Sequence, residues 1–320
     1  MRSTRCPGRE REAVARWAVA RPPRPSRTAG VGLAGFRDLD VGPVDMRVVP
    51  HPAVTLVLEF GGGPLVVDTA TDRQQLSSLV AGFTHGALRV RGETIECVEV
   101  RLSPLVAYAA LGTSPAELEH VVSLDDLWGR GASRIREQLS EARSWQDRFA
   151  LTDALLARRA ETGPSADPQV AWSWDRIVGS RGRVRIDALA AEVRWSRKRL
   201  WSRFLAQTGL PPKRAAKLVR FDHAVRRLAA GEDAARIAAD SGYADQSHLH
   251  RDVLEFTGVT PAAMAREPGL VVDDIAWADT ASARRADTPP HPVRTARHPC
   301  RDDVPPGVER NLRSLTGRCP

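Results

Sequence analysis

The chain has 320 residues, 42% hydrophobic and 27% charged, the composition of a globular protein. No stretch approaches the roughly 18 unbroken apolar residues that span a bilayer, and four cysteines, Cys6, Cys97, Cys300 and Cys319, lie too far apart for a disulfide framework or a cysteine-based zinc site. The net charge of +8 is unevenly spread: residues 1–30 carry +6, residues 31–169 carry −6, residues 170–268 carry +7 and residues 269–320 carry +1, so an acidic middle is joined to a basic third quarter suited to a polyanion.

Residues 1–30 hold little to bury, as in Arg21-Pro22-Pro23-Arg24-Pro25, and read as a flexible arm with a docking point at Trp17 to Val19. They lack the apolar h-region of an export signal, so the cytoplasm is the expected compartment. Residues 31–162 then read as a β-rich domain with helices at its end. Strands are expected at 46–49, 54–60, 65–67, 87–90 and 95–102, separated by turn signals such as Gly61-Gly62-Gly63-Pro64. In the last of these, Ile95, Val98, Val100 and Leu102 nearly alternate with Glu96, Glu99 and Arg101, which predicts a half-buried strand with a slip near Cys97. Helices follow at 105–111, 124–128, 132–142 and 145–160. Gly163-Pro164-Ser165-Ala166-Asp167-Pro168 predicts a linker over 163–169, residues 170–268 are helical throughout, and 269–320 read as a disordered tail.

The basic segment contains two similar units. In the first, Ile186, Leu189, Ala190 and Val193 form one apolar stripe of a short helix, and a break follows at Arg194-Trp195-Ser196. Ser196 then caps a second helix whose Leu200 and Phe204 share a buried face until Gly209 ends it. At ~100° per residue the opposite side carries Lys198, Ser202 and Leu205, with Trp201 on its flank. The second unit repeats the scheme. Ala234, Ile237 and Ala238 mark the short helix, Gly242 permits a sharp turn, and Asp245 caps a helix buried through Leu249, Val253 and Phe256. Its other side shows Ser247, Arg251 and Leu254, with Gln246 and His250 at the edges. Arg forks onto guanine and Gln onto adenine, and Ser or His takes either role. An amphipathic helix marked by Leu218, Phe221, Val225 and Leu228 joins the units and would fix their separation.

These residues resemble the AraC/XylS family of transcriptional regulators. The resemblance rests on Ile237-Ala238 through Ser241-Gly242-Tyr243-Ala244-Asp245-Gln246-Ser247-His248-Leu249, then Arg251, Phe256 and Thr257-Gly258-Val259-Thr260-Pro261. In the first unit it rests on Leu189-Ala190-Ala191, Trp195-Ser196, Leu200, Phe204, Thr208-Gly209 and Pro212, and together the two matches cover about a third of the chain. It implies base reading by Lys198, Trp201 and Ser202 from the first recognition helix and by Gln246, Ser247, His250 and Arg251 from the second. Arg197, Lys213 and Arg214 are candidate phosphate contacts. The family commonly has Gly where this chain has Arg194; if that turn is left-handed, a non-Gly side chain costs on the order of 1–2 kcal/mol. Trp201 either reads the groove or packs on the connector helix.

Residues 100–105, 108–112 and 123–129 are similar to the N-terminal halves of some regulators of this family, which implies a cupin-like sensor or dimerisation module. The expected fold class is therefore α+β: a β-rich cupin-like domain followed by helices, then an all-α domain of two helix-turn-helix units. Double-stranded DNA is the expected partner; RNA polymerase, a small effector of unknown identity and a second copy of the chain are further candidates. No cofactor or metal is expected and no catalytic residue is assigned. The alternative is a metal-dependent cupin-like enzyme fused to a DNA-binding module, for which the domain offers only His51, His85 and His120 with Glu59 and Glu93, and no HxH or HxxxH pair.

Overall fold

The computed structural model describes residues 17–39, 42–69, 73–84, 86–118, 121–264 and 270–272. Eleven strands among them form two sheets. The first has the order β1(Trp17–Ala20), β2(Val31–Asp38), β9(Glu96–Leu102), β4(Val54–Glu59), β7(Ser78–Ala81) and β10(Val121–Ser123), antiparallel throughout. The second has the order β11(Leu270–Val271), β3(Val44–Val48), β8(Leu88–Gly92), β5(Leu65–Asp68) and β6(Arg73–Leu76).

The first sheet is buried on both faces, because alternate side chains serve two cores. Val54, Leu56, Leu58, Val80, Val98, Val100 and Leu102 pack against helices α1(Pro104–Leu111), α2(Leu124–Trp128), α3(Arg130–Glu141) and α4(Trp145–Thr162). Val57, Leu79, Ala81 and Cys97 point the other way, onto Val44, Leu65 and Val67 of the second sheet. This double burial explains Cys97-Val98. Both are buried, yet β9 pairs with β2 and β4 in unbroken register through Phe36↔Cys97 and Gly35↔Val98. The expected slip is absent, and the strand is covered on both sides rather than half-buried.

Two further expectations are corrected. In the arm the expected docking point is present, β1 pairing with β2 and Trp17 meeting Phe36 edge-on with centroids 6.1 Å apart, but the residues after it are held as well. Ser26 and Arg27 bond to Asp153 of α4. The tail is not structureless throughout, since Leu270 and Val271 pair parallel with Arg47 and Val48 of β3 and add an edge strand to the second sheet; beyond Val272 it lies outside the described residues.

The C-terminal helices are α5(Pro168–Gly179), α6(Ile186–Glu192), α7(Arg197–Thr208), α8(Pro212–Ala229), α9(Ala234–Asp240), α10(Gln246–Thr257) and α11(Pro261–Met264). They share one core, in which Trp172, Trp174, Ile177, Leu200, Phe204, Phe221, Val253 and Phe256 are buried together. Val49, Phe83 and Leu105 of the N-terminal half pack into the same cluster. The segment expected as a linker over 163–169 is packed at both ends. Gly163 lies so close to α1 that a Cβ there would sit 1.9 Å from the Ala109 carbonyl oxygen, and Pro168 and Gln169 already belong to α5. No helix among the described residues is long and apolar enough to cross a membrane.

Candidate nucleic-acid interface

Each unit is a short helix, a turn and a longer helix, built by the same local chemistry. In the first, the Ser196 side chain accepts from Arg199 N at 3.2 Å and caps α7; in the second, Asp245 accepts from His248 N at 2.7 Å and caps α10. Both helices end on a left-handed glycine, Gly209 at φ 81° and Gly258 at φ 74°. The threonine before each glycine closes the end in the same way: Thr208 donates to Phe204 O and Thr257 to Val253 O.

The turns differ. The first passes through Arg194 at φ 55°, a left-handed residue with a side chain, whereas the second uses Gly242 at φ 75°. The departure from glycine therefore leaves the left-handed turn intact. The cost expected of it, about 1–2 kcal/mol, is carried by the surrounding packing. Trp195 N bonds to Ala190 O and, equivalently, Tyr243 N to Ala238 O. The second turn then runs one residue longer, through Ala244, before its cap. Each turn buries an aromatic ring under an arginine, with Arg199 4.6 Å from the Trp195 ring and Arg220 4.6 Å from Tyr243.

On α7, Leu200 and Phe204 are buried, while Lys198, Trp201 and Ser202 are exposed. On α10, Leu249, Val253 and Phe256 are buried, and Gln246, Ser247, His250 and Arg251 all lie in solvent. The candidate base-reading residues thus lie on the solvent side of each recognition helix. Gln246 and His250 side chains approach to 3.4 Å one turn apart. Trp201 is 51% exposed and lines a cleft with Tyr108 and Glu117; Leu254, at 51%, is as exposed on α10. Among the phosphate candidates Lys213 is exposed and Arg214 half-buried at the start of α8, while Arg197 is exposed and held to Asp187 at 3.1 Å.

The sequence reading missed what anchors the second unit. Asp252 is buried on α10, 3.2 Å from Lys217 and 3.6 Å from Arg220 of α8, with His248 3.9 Å away. Burial chiefly, with the Asp252 charge beside it, pushes the Tyr243 hydroxyl up. The available signal was an acidic residue on the same stripe as Leu249, Val253 and Phe256, which demands cations from a facing helix. The first unit is fixed instead from the linker. Arg203 of α7 bonds bidentately to Asp167 at 2.7 and 2.9 Å, holding that carboxyl below the usual carboxylate range, and Gln207 accepts from Asp167 N at 2.7 Å.

Among the described residues no group of three or more His, Cys, Asp or Glu is placed to hold a metal ion; His85 and His120 lie outside them. His51 bonds to Thr55 at 3.0 Å, and Glu59 accepts from Gly61 N at 2.7 Å in a hairpin turn.

A sequence model for a helix-turn-helix domain matches residues 189–267, and no curated protein matches the chain. Solved structures with likeness include ToxT from Vibrio cholerae O395, at 12% identity over 75% of this chain and 98% of that one with a TM-score of 0.41. The same protein bound to (E)-4-(8-methylnaphthalen-1-yl)but-3-enoic acid gives 13%, 74%, 98% and 0.42. The AraC-like transcriptional activator CuxR gives 10%, 75%, 80% and 0.28. With two capped helices on one core and the family match laid over them, residues 189–267 form a helix-turn-helix domain.

Proposed function

We propose that the chain is a sequence-specific DNA-binding transcriptional regulator whose two recognition helices read two adjacent major-groove segments. The observation that carries this is the pair of solvent-facing side-chain sets, Lys198, Trp201 and Ser202 on α7 and Gln246, Ser247, His250 and Arg251 on α10, held by one continuous core. The α8 helix has 18 residues and spans about 27 Å, so it sets the units apart as a rigid bar. Groove segments on one face of a duplex recur every 34 Å or so; with both units fixed on one bar, one chain does the work of a dimer. Lys213, Arg214 and Arg197 supply phosphate contacts that position the domain without reading sequence.

The β-rich half serves as the sensor or dimerisation module through which a small effector, a second copy or RNA polymerase acts on DNA binding. No catalytic role is proposed. The test is selection of bound sequences from a random duplex pool by the full chain at two salt concentrations. The expected result is a bipartite site with half-elements one helical turn apart; binding that is salt-sensitive and unselective would overturn the reading.

A further inference from the structure

The N-terminal half stands beside the first recognition helix, next to its reading side. Along α7, positions 202, 205, 206 and 209 form one stripe at i, i+3, i+4 and i+7, and the first two belong to the groove-facing side. Opposite this stripe lies the segment after α1. Ser114 donates to the Ala206 carbonyl, and Pro115 sits so close to Gly209 that a Cβ there would lie 2.8 Å from Pro115 backbone carbon. Between them runs a cleft of about 810 Å³, walled on one side by Tyr108, Thr113 and Glu117 and on the other by Trp201, Ser202 and Leu205. On α10 the N-terminal half likewise touches the C-terminal end, Arg47 donating to Thr257 O at 2.8 Å, while Ser247, His250, Arg251 and Leu254 face solvent.

A helix some 10–12 Å across fills a major groove about 12 Å wide. Both sugar–phosphate strands must then run along its flanks. A segment hydrogen-bonded to the last turn of α7 and walling the cleft beside Trp201 and Ser202 stands where one strand has to pass, and the exposed Glu117 carboxylate meets that strand with like charge.

Resting on the regulator reading above, we infer that residues 112–117 and a DNA duplex compete for the same side of α7, so that the first unit is closed and the second open in this conformation. The second unit finds its half-element first. Full engagement requires the 112–117 segment to leave α7, which couples any event that shifts α1 in the N-terminal half to the affinity for a bipartite site.

Ser114→Asp tests this with a sign that plain electrostatics cannot mimic. Ser114 also accepts from Ala116 N at 3.1 Å, a local turn that an aspartate makes equally well. Facing the Ala206 carbonyl in the last turn of α7, the new carboxylate is repelled by an acceptor and by the negative end of the helix. The full-length variant should bind the duplex recovered by selection at least threefold more tightly than the parent, although added negative charge alone weakens DNA binding. Affinity for a duplex carrying only the half-element read by α10 should not rise. Unchanged or weaker binding to the bipartite duplex would overturn the competition while leaving the regulator reading in place. Absence of sequence-selective binding by the parent would overturn both. Amide hydrogen exchange supplies a reading independent of the variant: amides of 113–118 should exchange faster when the parent protein is saturated with the selected duplex, and slower or equal exchange contradicts the inference.

Discussion

The two helix-turn-helix units solve one geometric problem with different means. The second places Gly242 at its left-handed turn and anchors α10 through Asp252 on Lys217 and Arg220. The first places Arg194 at the same kind of turn and anchors α7 through Arg203 on Asp167, a residue of the segment leading from the N-terminal half. The charged partners of α10 thus come from α8, and that of α7 from the segment before α5.

Truncating the shared aromatic core asks whether the units are energetically one body. Phe204 packs near Trp174 at 6.3 Å and Phe256 on Phe221 at 4.5 Å, all within one cluster. Phe204→Ala and Phe256→Ala should each cost about 3–5 kcal/mol. Each should lower a single cooperative urea transition of the helical domain; separate transitions for the two units would break the comparison at its base.

The next effect concerns readout. Arg251→Ala should cost about 1–3 kcal/mol on the selected duplex and relax preference at one base pair, while Lys213→Ala should weaken all duplexes alike and reduce the salt slope by about one. Uniform weakening by Arg251→Ala would move that residue to the phosphates, and an unchanged slope would remove Lys213 from the interface.

Turn chemistry gives a smaller pair with opposite signs. Arg194→Gly should stabilise by about 1 kcal/mol by removing left-handed strain, and Gly242→Ala should destabilise by about 1–2 kcal/mol. A Cβ at Gly242 lies 3.0 Å from Arg183 Cγ, a flexible side chain that can yield, so backbone strain dominates the second cost. Calorimetry of both variants decides it; equal signs would mean that the two turns are not equivalent.

The smallest effect is a pH dependence at the seam between the halves. Burial, then the charges of Arg101 and Arg226, hold the His51 imidazole well below its ordinary range. His223 on α8 is lowered as well, by burial and then by Arg181 and Arg227. A histidine kept neutral in the folded state takes up its proton first in the unfolded chain. Stability is then full above the unfolded value of about 6.5 and falls as pH drops through it. His51→Gln should flatten that slope between about pH 6.5 and pH 5 in denaturation experiments; an unaltered slope would assign the effect to His223 alone.

The C-terminal domain was legible because its signals are local. Ser196, Asp245, Gly209 and Gly258 mark helix ends through their own backbone and side-chain chemistry, and Leu200, Phe204, Leu249 and Val253 recur at helical spacing. The β-rich half was less so. The strand β2 is broken in sequence by Gly32 and Gly35, which lower strand propensity, yet a Cβ on Gly35 would lie 2.3 Å from the Trp145 ring, so packing on α4 requires the glycine. The edge strand β6, Arg73-Gln74-Gln75-Leu76, carries almost no apolar signal. The docking of Ser114 and Pro115 on α7 joins positions 92 residues apart and reads in sequence as an ordinary turn.

On the proposed reading, α8 holds two groove-reading units at a spacing that fits successive major-groove segments. The direct measurement is binding of the full chain to the selected duplex and to versions with five or ten base pairs inserted between the half-elements. A rigid connector predicts that both insertions reduce affinity to that of a single half-element, since neither a rotation by half a turn nor a doubled distance can be followed. Retained affinity after the ten-base-pair insertion, with loss only after five, would contradict the account and place the two reading units on separately mobile bodies or separate chains.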